Sequence, residues 1–165
     1  METLASTLAF LFEEKLLMYH ELIEVLKTER KWIVTAKTEQ LWQESDKKQR
    51  IVSTIEALRE RILETLSAQG VFHDMTVTSF RPSRVMTLVP IETRKSLVHL
   101  QSALNLAKEE IQERSRENVA FVEDYLATLD DLIGIFMQKK DGGAFYDRHR
   151  HVEHNRTRSL LHQEV

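Results

Sequence analysis

The stretch Val71–Pro90, VFHDMTVTSFRPSRVMTLVP, holds both prolines of a 165-residue chain. Its Thr, Ser and β-branched residues break the three-and-four spacing on either side, which marks a connector where the chain reverses. Pro90 suits the first turn of a following helix, where its missing N–H has no intrahelical partner to lose. On both sides of this stretch the apolar residues are spaced like helix up to the tail, and a second, shorter pause at VTAKTEQLW divides the upstream part in two.

Upstream, Gly70 after LSAQ reads as the stop of a helix. The stripe of that helix is Leu41, Val52, Ile55, Leu58, Ile62 and Leu66, with Ser45 and Lys48 filling two of its steps. Thr38, three residues before Leu41, reads as its N-cap. An earlier helix carries Leu4, Leu8, Leu11, Met18, Leu22, Val25 and Trp32 at steps of three and four, broken only by Lys15 and Glu29. Phe12, Leu16, Tyr19, Ile23, Leu26 and Ile33 widen this stripe, so the first helix is expected to touch more than one neighbour. Trp32 and Trp42 flank the junction and are expected to pack the bundle end.

Downstream, Leu97, Leu100, Leu104, Ala107 and Ile111 continue the seam, followed by Val122, Leu126, Leu129, Ile133 and Phe136. Between the two halves, Ser115 and Asn118 occupy seam positions, either as a register-fixing polar layer or as an exposed turn of helix. The helix stops at KKDGG, with cations near its carbonyl end and glycine free to take positive φ. From Val119 to Phe136 the stripe is rich in large apolar residues. It is either ordinary core or, if the first two helices stop short of it, a surface for a partner helix.

The expected fold is all-α, an elongated antiparallel, coiled-coil-like bundle of three long helices at about 3–35, 38–68 and 90–138. Rods of that length span roughly 45 to 75 Å at about 1.5 Å per residue. Antiparallel packing covers each apolar stripe with another. These helices form a 1–140 helical domain, and 141–165 form a flexible C-terminal tail, since apolar residues there are scattered.

Four Gly, two Pro, 42% hydrophobic and 30% charged residues suit long helices. The balance of 23 basic and 26 acidic residues leaves a net charge of -3, so no global field draws phosphate or an anionic membrane. With no cysteine there are neither disulfides nor thiolate ligands, as suits a reducing compartment. Leu4 to Phe12 is apolar, yet Glu2 stands where a basic leader would, EEK follows at once, and no small-residue cleavage site comes after. No run reaches the roughly 18 apolar residues that span a bilayer. A soluble cytoplasmic protein is expected, without membrane insertion.

Catalysis has little to stand on. Carboxylates such as Glu13, Glu14, Asp130 and Asp131 sit at helix-surface spacing, and there is neither a glycine-rich phosphate loop nor a nucleophile elbow. No enzyme activity and no cofactor are expected. The tail GGAFYDRHRHVEH, Gly142–His154, invites a metal reading through His149, His151 and His154, but converging ligands need a rigid frame that this segment lacks. Arg148, Arg150, Arg156 and Arg158 beside Tyr146 suggest nucleic acid, diluted by Asp141, Asp147, Glu153 and Glu164. Neither metal nor nucleic acid is expected.

In order and spacing the elements resemble the FlgN-type flagellar type III export chaperones over residues 5 to 147. The resemblance rests on FEEKLLMYHELIEVLKTER, then TEQLWQESDKKQRIVSTIEALRERILETL, then IQERSRENVAFVEDYLATLDDLIGIF and FYDRHR. Of the family's N-x-x-N step only Asn118 is kept, with Ser115 in place of the first Asn, and the glycine that commonly follows the YD pair is absent. The resemblance implies a cytoplasmic chaperone that holds the C-terminal helical segments of the hook–filament junction proteins FlgK and FlgL, prevents premature assembly, and delivers them to the export gate protein FlhA. It carries the cargo role onto Val119, Val122, Leu126, Leu129, Ile133 and Phe136. Gate docking goes to Tyr146, with Phe145 as its neighbouring anchor. A structural coiled-coil adaptor, or a homodimer when free of cargo, is the alternative.

Overall fold

The structure, a computed structural model, describes residues 3–141 and the side chains through Met137. Four helices follow one another: α1 (Leu4–Val34), α2 (Thr38–Ala68), α3 (Pro82–Leu88) and α4 (Ile91–Asp141). Among the described residues there is no strand, and the expected all-α bundle of three long helices is present with a short fourth helix, α3, inside the Val71–Pro90 connector. The residues divide into two compact units between Leu126 and Ala127. The tail segment 142–165 lies outside the described residues.

Local chemistry explains the helix ends. Thr3 caps α1 by accepting from the Ser6 N–H at 3.3 Å. At the far end of α1, the Lys37 N–H reaches Trp32 O at 3.0 Å and the Ala36 N–H reaches Ile33 O at 3.1 Å, a Schellman closure. That closure forces Ala36 to φ 51°, a region where glycine is the usual resident. It also leaves Lys37, and not Thr38, at the N-cap of α2 without any side-chain cap. The expectation for Thr38 is thus off by one residue, because the six-to-one bond of the turn fixes where the new helix starts. Gly70 does stop α2 as expected: at φ 72° it donates to Ser67 O at 3.0 Å, while the Val71 N–H reaches Leu66 O at 2.9 Å.

Within the unit that ends at Leu126, the ion pairs show the helix directions. Lys48 pairs with Glu29, and Arg61 pairs with Glu14 at 3.3 Å, so α2 runs antiparallel to α1. Arg30 meets Glu117 at 3.1 Å, and Lys108 lies near enough to Lys15 to repel its charge, which makes α4 parallel to α1. The core gathers Leu8, Leu11 and Phe12 of α1, Ile55, Leu58, Ile62 and Leu66 of α2, and Leu97, Leu104 and Ala107 of α4.

The connector is more than a reversal. Met75, Phe80, Val85, Met86 and Val89 are all buried in this same core. Pro82 opens α3 from its first turn, whereas Pro90 precedes α4 and accepts the Arg94 N–H at 2.9 Å. Arg94 then satisfies the last carbonyls of α3, its Nε donating to Met86 O at 2.6 Å. Trp42 departs from the expectation of end packing: it is 74% exposed, and only Trp32 is half-buried, with the ammonium groups of Lys31 and Lys37 at 5.1 and 5.5 Å from its ring.

Candidate functional site

Asn118 settles one of the open readings. It is 4% exposed, and its Nδ2 donates to Leu26 O at 2.9 Å and to Glu29 Oε2 at 3.0 Å. Because Glu29 also binds Lys48, one polar layer joins α4, α1 and α2. Its partners are matched in position and charge, so a slip of α4 by one turn would strand a buried amide and a largely buried carboxylate. Ser115, three residues earlier, is exposed and stays outside this layer. Just above, Arg30 stacks on the Phe121 ring at 5.2 Å while pairing with Glu117.

Past this layer, cover runs out. α1 ends at Val34, and a crevice opens that is lined by Ile33, Lys48, Ser115, Val119 and Val122. Within the first unit, Val119, Phe121, Val122, Tyr125 and Leu126 are 38–54% exposed. In the second unit, Leu129, Leu132, Ile133, Ile135, Phe136 and Met137 are 37–68% exposed. Every described side chain from Val119 to Met137 is classed as exposed.

The six residues expected to hold cargo therefore all face solvent along α4, three in each unit: Val119, Val122 and Leu126, then Leu129, Ile133 and Phe136. At spacings of three and four, the three in each unit share one face of their part of α4. Phe121, Tyr125, Leu132 and Met137 are also exposed and apolar and flank the expected stripe, while the exposed Ile135 lies on the opposite side of the helix. The signal of this flank was available in the same periodicity, since Phe121, Tyr125 and Leu132 are spaced by four and seven. Phe145 and Tyr146 lie outside the described residues. Soluble monomers rarely leave so many large apolar side chains in water, and each unit carries such residues on its part of α4.

Nothing in the first or second unit gathers three His, Asp or Glu side chains among the described residues. No described helix is long and apolar enough to cross a membrane. What the late part of α4 can do is offer apolar area to another helix, with the Asn118 layer holding its base in place.

No curated protein and no solved structure matches the chain. The model of the family described as FlgN protein matches residues 1–153, nearly the whole length, including every helix above. The chain belongs to the FlgN family and is a flagellar export chaperone.

Proposed function

We propose that the exposed face of α4 holds the C-terminal helical segments of the junction proteins FlgK and FlgL in the cytoplasm before export, and that Tyr146, flanked by Phe145, docks the loaded chaperone on FlhA. The observation that carries the reading is the unbroken exposure of apolar side chains from Val119 to Met137. A segment that is disordered when free has its own apolar helix face to bury, and pairing the two faces completes a coiled coil. Fully burying one Leu, Ile or Phe side chain is worth roughly 1.5–3 kcal/mol. Half-exposed residues contribute a part of that, and ordering the segment offsets some of the sum. Moderate affinity follows, as handover at a gate requires, and release needs no nucleotide.

Co-expression with the C-terminal segment of FlgK or FlgL from the same cell tests this. A soluble 1:1 complex is expected. Failure of both segments to co-purify, with the chaperone instead self-associated through α4, would favour the homodimeric adaptor and sink the chaperone–cargo assignment.

A further inference from the structure

A second chemical feature lies at the connector end of the first unit, among residues that the cargo face does not use. A cavity of about 570 Å³ is lined by Arg59 of α2, Thr78, Phe80 and Arg81 of the connector, Arg84 of α3 and Lys108 of α4. No carboxylate lines it. Arg84 is held at the rim by Asp74 at 2.8 Å, with both side chains largely in solvent. Arg81 and Lys108 form no ion pair among the described residues. Arg59 reaches Val77 O through Nη1 at a long 3.4 Å, while its Nε is buried and donates to nothing.

A buried guanidinium N–H without an acceptor is unfavourable, because its hydration is lost and nothing replaces it. Like charges drawn together from three separate helices and a loop add repulsion. Beneath the cavity, the ammonium of Lys15 lies 4.1 Å from the centroid of Phe80, a lining residue, and is itself enclosed by the core. Such a gathering of donors without an acceptor is the complement of an oxyanion: guanidinium groups bind phosphate through paired N–H donors, and lysine supplies a point charge.

We propose that this cavity binds a phosphate-class oxyanion, held chiefly by Arg59, Arg81 and Lys108. Arg84 contributes from the rim, beside Thr78, whose hydroxyl shares a hydrogen bond with that of Thr76 at 3.0 Å. The anion supplies the missing acceptor for Arg59 Nε and joins the connector to α2 and α4. Occupancy therefore stabilises the packing of the connector on α2 and α4 within the first unit. It also reaches Lys15: burial first, then Arg59 and Lys108, push that ammonium down to about 7, and an anion beside the two cations offsets part of their effect. Binding at pH values above about 7 is then coupled to uptake of a proton.

The test is calorimetric titration of the full chain with inorganic phosphate and, in a second arm, phenyl phosphate, at fixed ionic strength set with chloride. Sodium acetate serves as the carboxylate comparison. Saturable binding of phosphate is expected, with phenyl phosphate preferred if a monoester is the native form and free phosphate preferred if it is not. Arg81→Gln combined with Lys108→Gln, both on exposed positions, should weaken binding about tenfold or more, whereas Arg116→Gln on another face of α4 should leave it unchanged. Repeating the titration in buffers of different ionisation enthalpy, at a pH where the phosphate is dianionic when free, should reveal a component of proton uptake that is absent in Lys15→Met. Unsaturable binding equal to that of chloride, equal affinity in the Arg81/Lys108 double variant, or acetate binding as tightly as phosphate would each overturn the proposal.

Discussion

Replacing Lys15 by methionine keeps an unbranched, flexible side chain, slightly shorter, and removes its charge. Lys15 is 1% exposed in the middle of the core, with its ammonium 4.1 Å from the Phe80 ring centroid and 5.5 Å from that of Tyr19. No carboxylate pairs with it among the described residues. Burial, and then the charges of Arg59 and Lys108, lower its pKa from 10.5 to about 7. In the unfolded chain the ordinary value returns. Below pH 7 both states carry the proton, and the folded state bears the whole penalty of a buried cation. At about 1.4 kcal/mol per unit, that penalty has an upper bound of about 5 kcal/mol. Between about 7 and 10.5 the unfolded state binds more protons than the folded one, so stability rises with pH across that window.

Lys15→Met should accordingly stabilise the protein by roughly 2–4 kcal/mol near pH 6, less than the bound because the contacts with the two rings return part of the penalty. The gain should shrink towards pH 10, where the parent amine is largely neutral. Urea unfolding followed by far-ultraviolet circular dichroism, at several pH values and without phosphate, reads both quantities. A variant less stable than its parent at pH 6, or one that keeps the parent's rise in stability with pH, would refute the reasoning.

Ala36→Gly should raise stability by about 0.5–1 kcal/mol, since φ 51° suits glycine and the relief outweighs the extra freedom of the unfolded chain. In a chain of this size that is a rise in melting temperature of roughly 1–4 °C, measurable by thermal denaturation. Asn118→Asp sets a second carboxylate against Glu29 and should destabilise by about 1–3 kcal/mol at neutral pH, with partial recovery in acid as the pair takes up a proton. Tyr146→Ala should leave affinity for the junction-protein segments unchanged while reducing export and motility. Equal loss of cargo binding would place Tyr146 in the cargo surface instead.

How much of this was legible beforehand depended on whether the signal was local. The long helices and the Gly70 stop rest on spacings of three and four and on a single φ preference, both of which act within a few residues. The stripe from Val119 to Phe136 was visible in the same way, though its exposure was not, because within the first unit exposure of Val119 to Leu126 depends on where α1 ends. Asn118 stayed ambiguous for a related reason: its acceptors, Leu26 O and Glu29, belong to α1. The connector misled because Met75, Phe80, Val85, Met86 and Val89 follow no single period, yet each reaches the core from irregular backbone or from a helix too short to show one. Lys15 looked like a gap in a stripe and is instead buried under Phe80. The basic cavity was invisible in a chain with an acidic net charge, since Arg59, Arg81 and Lys108 converge only after folding.

The central claim is that the late face of α4 is the cargo surface. Titration of the purified chain with a C-terminal segment of FlgK or FlgL, alongside Leu129→Asp and Ile133→Asp, tests it most directly. Both positions are already exposed, so the substitutions leave the first unit's core intact and stability serves as the control. The account predicts a saturable 1:1 isotherm for the parent and a loss of affinity of about tenfold or more in each variant, with unfolding of the first unit unchanged. Undiminished binding by both variants would contradict it.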